Sequence, residues 1–88
     1  MRLGVDMFGN CKYIVIDGSI PILFPNSIRH NFIANSFGID RVTSAGFVEV
    51  SQDLEKEKIV VRVFGDSVGL RKSSKEVDSF LIKKMLED

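Results

Sequence analysis

Ser67 sits where a nucleophile could stand. It follows the β-rich run Ile59-Val60-Val61-Arg62-Val63-Phe64 and lies within Phe64-Gly65-Asp66-Ser67-Val68-Gly69. A serine hydroxyl attacks poorly until a neighbouring base takes its proton. The chain has one histidine, His30, far upstream, and the 19 residues after Gly69 contain none. Gly-Asp is also a good turn in its own right. The turn reading is therefore preferred, and a serine hydrolase centred on Ser67 is the least favoured of three functions.

The same six residues resemble the first block of the GDS-type hydrolases, whose serine follows a strand. That resemblance implies a downstream Asp-x-x-His pair, which this chain lacks. His30 falls at the border of an apolar helix face, with Ile33, Ala34 and Phe37 three, four and seven positions on. A boundary histidine is expected there rather than a general base. One histidine and one cysteine, Cys11, cannot furnish a zinc tetrad, and the acidic residues do not follow a calcium-loop spacing. No metal and no cofactor is expected.

Arg71, Lys72, Ser73, Ser74 and Lys75 gather three cations and two hydroxyls before an expected helix. Free amides and the helix dipole favour an anion at such a point. These five residues are the candidate site for a phosphate-bearing ligand, although their spacing is not that of a Walker A loop. A solvated, capped helix end is the simpler reading. Ile82 and Leu86 fall off the expected apolar stripe of that helix and are the candidate contact residues for a protein partner or a second copy.

The elements follow from alternation and turn chemistry. Arg2 to Phe8 alternates and Gly9-Asn10 suits a tight turn. Lys12 to Asp17 is a strand, Gly18-Ser19 a turn, and Ile20 to Phe24 a strand that Pro21 confines to an edge or bulge. Asn26 or Ser27 caps a helix to Phe37 with Ile28, Phe32, Ile33 and Phe37 inward, and Gly38 ends it. Val42 to Val50 is a strand that Thr43-Ser44-Ala45-Gly46 interrupts, by a β-bulge or by a close approach of backbone or ligand, the bulge preferred. Asp53 to Lys58 is a charged hairpin loop, and Ile59 to Phe64 the strongest strand. Gly65-Asp66 turns the chain, and Ser67 to Leu70 is a short returning strand. Ser73 with Glu76 forms a capping box for a last helix with Val77, Phe80, Leu81 and Met85 inward.

This pattern predicts an α+β fold, a single small domain over residues 1–88. It is an antiparallel sheet with two helices packed on one face, in a βββα–βββα pseudo-repeat. At 44% hydrophobic and 27% charged residues, the composition is that of a globular chain and not a disordered one. Twelve basic and twelve acidic residues balance, so net charge gives no strong pull toward nucleic acid or anionic membrane. No apolar run reaches membrane-spanning length. A lone cysteine and an N-terminus with Asp6 but no long apolar run point to a cytoplasmic protein.

Three segments together are similar to small uncharacterised proteins encoded by bacteriophages and prophages. They are Tyr13 to Asp17 with Pro21 to Phe24, Val42-Thr43-Ser44-Ala45-Gly46-Phe47, and Phe64 to Val68 with Leu70 before a Ser-led helix. His30 and Ala34 match too, whereas Met1 to Asn10 does not. The resemblance implies an origin, not a mechanism. The first functional expectation is thus a non-enzymatic interaction protein, working in the host cytoplasm through a protein partner or as a homo-oligomer. An anion- or nucleotide-binding protein is the second.

Overall fold

The computed structural model describes residues 9–53 and 58–87. Their order is β1 (Gly9–Ile16), β2 (Ile20–Phe24), α1 (His30–Phe37), a 3-10 turn (Ile39–Arg41), β3 (Val42–Asp53), β4 (Lys58–Phe64), β5 (Asp66–Ser67), β6 (Lys72–Ser73) and α2 (Glu76–Glu87). The four long strands form an antiparallel sheet in the order β2-β1-β3-β4, and β5 pairs with β6 in a small hairpin. The α+β class is as the pattern predicts, and Pro21 lies on an edge strand. The long axis, 40 Å, is the length of the 12-residue β3 at about 3.4 Å per residue.

The helices do not share a face. Tyr13, Val15, Val48 and Val50 pack with Ile82 and Leu86 of α2 on one side of the sheet. Ile14, Ile16, Phe24 and Ala45 pack with Ala34 of α1 and Leu70 on the other. The reason is visible in β1. Tyr13-Ile14-Val15-Ile16 is apolar at every position, and all four are buried. A strand covered on both faces reads as a continuous apolar run, not an alternating one.

The repeat is not regular either. Gly9-Asn10 is no turn, because both residues pair with β3 as the start of β1. The strand expected over Arg2 to Phe8 and the tip of the loop between β3 and β4 lie outside the described residues. The β1–β2 turn is centred on Asp17-Gly18, one residue earlier than expected. Both have positive φ (54° and 72°), as a type I′ turn requires, and Ser19 N–H donates to Ile16 O at 3.1 Å. Arg41 then clasps the Asp17 carboxylate at 2.6 Å.

The bulge in β3 exists, but at Thr43, between the pairs Val15–Ser44 and Ile16–Val42. Its hydroxyl donates to Val15 O and accepts from Gly18 N–H. Gly46 answers to the other expectation, a close approach. A Cβ there would lie 2.8 Å from Phe64 O and 3.1 Å from Ser74 Cβ.

Candidate functional site

Residues from four elements surround one cleft of about 520 Å³. Lys12 comes from β1, Arg29, His30 and Asn31 from the start of α1, Phe47 from β3, and Asp66 to Gly69 from β5 and the turn after it. The helix begins two or three residues later than a cap at Ser27 or Asn26 predicts. Pro25 to Ile28 first forms a turn, with Ile28 N–H on Pro25 O, and Asn26 donates its amide to Asn10 O. Arg29 is left as the residue before the helix, with no side-chain cap and no acidic residue in the first turn. The buried residues of α1 are therefore His30 and Ala34; Ile28 and Ile33 pack partly against the core as expected, while Phe32 stands 68% exposed and Phe37 is exposed too.

His30 is a wall of the cleft rather than an engaged base. Its Nε2–H donates to Gly46 O at 2.9 Å, which makes Nδ1 the nitrogen with the lone pair. Phe24 and Phe47 meet the imidazole edge to face, with ring centres at 5.5 and 5.6 Å. Burial, helped by the nearby Lys12 charge and opposed by the Gly46 carbonyl, holds its pKa below the usual histidine value. The Lys12 ammonium donates to Ile28 O at 2.9 Å across the same wall. Ser67 is 4% exposed and shares the cleft with His30. Chain separation thus gave no guide to their placement. The imidazole's hydrogen bond nevertheless runs to Gly46 and not to the serine hydroxyl.

The residues expected to hold an anion before α2 are not gathered into a cradle. Lys72 and Ser73 form β6, and the Ser74 hydroxyl donates to Gly65 O at 2.8 Å. Lys75 N–H donates to Asp78 Oδ2 at 3.0 Å. The capping arrangement is real but lies two residues later than Ser73–Glu76, as Lys75–Asp78. Glu76 and Asp78 both sit in the first turn, so negative charge is already supplied there.

The contact residues expected on α2 require a correction. Ile82 and Leu86 are 0% and 2% exposed and belong to the core. Val77 and Phe80, expected inside, stand outside, Phe80 at 67%. Asp78 is the cause. It takes the first buried position of the helix, with Ile82 and Leu86 four and eight residues on, and a carboxylate there hides the stripe. Phe80 lines a groove of about 350 Å³ with Ser79, Lys83 and β4 residues 58–61. The outer edge of β4 has no strand paired to it among the described residues.

Cys11 is half-buried, and burial raises its thiol pKa, which makes it a poor nucleophile. Among the described residues, no group of three or more His, Cys, Asp or Glu could hold a metal ion. No helix among them is long and apolar enough to cross a membrane. No protein-family model matches the chain, and neither curated proteins nor solved structures provide a match.

Proposed function

We propose that the protein is a non-enzymatic interaction module that self-associates by pairing its β4 edge, unpaired among the described residues, with β4 of a second copy. The observation that carries this reading is the edge of β4, unpaired among the described residues, with the exposed Phe80 of α2 lining a groove against β4 residues 58–61. Val60, on the other face of β4, is half exposed too. An unpaired strand edge offers its main-chain donors and acceptors to an added strand, and apolar surface beside it adds contact. An antiparallel edge can always meet its own copy across a two-fold axis. Arg62, which could guard such an edge, instead lies over the Phe64 ring at 4.9 Å and reaches Glu49 at 3.4 Å. Covering the edge would also extend a core that is thin for a chain of this size. The similarity to phage-encoded proteins supports a bacterial host cytoplasm as the setting.

The test is the mass in solution by light scattering after sizing. Wild type is expected at twice the 9.9 kDa chain mass, and Phe80→Asp at one chain mass while still melting cooperatively, at a temperature that no longer rises with protein concentration. A wild type of one chain mass at every concentration would overturn the self-association.

A further inference from the structure

We propose that the cleft between α1, Phe47 and the β5–β6 turn binds a small monoanion. Its ligand has one singly charged carboxylate head group and an aromatic or apolar body. This site is separate from the β4 edge and from the basic run before α2.

Three observations lead to it. The first is Ser67. It is more than nine-tenths buried, and its hydroxyl has no hydrogen-bond partner among the described residues. No side-chain oxygen or nitrogen sealed from solvent among those residues lacks a partner. The little exposure left to Ser67 must then include its hydroxyl, and the space it lines is the cleft. A donor held this way, with no acceptor among the described residues, suits an anionic oxygen.

The second is charge. Lys12 and Arg29 line the cleft against one carboxylate, Asp66, and His30 is neutral at its fixed Nε2–H tautomer. The net lining charge is one positive, which matches a monoanion and opposes a second negative charge near Asp66. The adjoining first turn of α1 has neither a side-chain cap nor an acidic residue. That turn contrasts with α2, whose start is occupied by its own Asp78.

The third is shape. Glycine at 69 lets the turn close directly on α1, since a Cβ there would lie 2.5 Å from Asn31 Oδ1. Phe47 gives the cleft an aromatic wall, backed by Phe64 stacked on it at 5.8 Å. A volume of about 520 Å³ is that of a small-molecule site.

His30 is the only histidine, so its imidazole NMR signals report on this cleft alone. Benzoate is the probe, with phenyl phosphate, inorganic phosphate and neutral benzamide for comparison. The expected result is a saturable shift of His30 and of the Asn31 and Gly69 amides with benzoate, and weaker binding of phenyl phosphate, which is mostly a dianion at about pH 7. Phenyl phosphate binding tighter than benzoate would overturn the monoanion assignment. Arg29→Gln should weaken binding about tenfold and Ser67→Ala about fivefold, while Lys75→Gln leaves it unchanged. Equal binding of benzamide would overturn the proposal. So would the absence of a saturable shift, or shifts confined to residues 71–76. Binding that Arg29→Gln and Ser67→Ala leave intact, in variants that melt like wild type, would do the same.

Discussion

The Tyr13 hydroxyl donates to Asp78 Oδ2 at 2.6 Å, 65 residues away and entirely inside the protein. The bond ties the central strand β1 to the first turn of α2. The same carboxylate oxygen accepts Lys75 N–H, so it both caps the helix and docks it. Tyr13→Phe leaves that buried carboxylate one donor short and should cost about 1.5–3 kcal/mol in chemical denaturation.

The same pair predicts an alkaline limit. Burial first, and then Asp78, raise the Tyr13 phenol well above its ordinary value of 10.0. The unfolded chain releases this proton above about pH 10, whereas the folded chain keeps it. Stability from Tyr13 is therefore full below that pH and is lost as pH rises beyond it. Tyr13 is the only tyrosine, so tyrosinate absorbance should appear together with unfolding. Ionisation at pH 10 in a protein that stays folded would contradict this.

His30 sets a limit on the acid side. Its folded pKa lies below the ordinary 6.5, chiefly through burial. Below pH 6.5 the unfolded chain takes up a proton that the folded chain refuses. Stability from His30 is present above that pH and falls away as pH drops through the folded value. Melting temperatures of wild type should decline across this range more steeply than those of His30→Gln.

Gly46 should tolerate no side chain. An alanine Cβ would press on Phe64 O, a backbone atom that cannot swing aside. Gly46→Ala should destabilise by about 1–3 kcal/mol. A Cβ at Gly18 would meet nothing within 4 Å, so Gly18→Ala bears only the strain of positive φ, about 1 kcal/mol. Melts of the two variants, side by side, separate crowding from backbone strain.

Ile82 and Phe80 should behave in opposite ways. Ile82→Ala empties a core position and should cost about 2–5 kcal/mol. Phe80→Asp acts on a surface position of the single chain and should leave stability within about 0.5 kcal/mol of wild type at protein concentrations dilute enough to keep both monomeric. Guanidinium denaturation of the two variants checks the assignment of the α2 faces.

Much of the architecture is legible in the residues. The strands at Lys12 to Asp17, Ile20 to Phe24 and Ile59 to Phe64 follow from β-branched runs, and Pro21 marks an edge. Two features mislead. Tyr13 to Ile16 lacks alternation because the strand is covered twice, and that signal was available. Asp78 breaks the helical period because its charge is answered by Tyr13 from a distant strand, which no local pattern reveals. The cleft is less legible still. Lys12, Arg29 and Phe47 carry no motif, and only the folding of the β5–β6 turn against Asn31 brings them near Ser67.

The β4 edge is tested most directly by amide hydrogen exchange followed residue by residue. In β4 every second amide points away from β3. At high protein concentration these outward amides should be protected, and dilution or Phe80→Asp should release them while the amides facing β3 stay slow. Outward β4 amides that exchange rapidly at every concentration would contradict pairing at this edge.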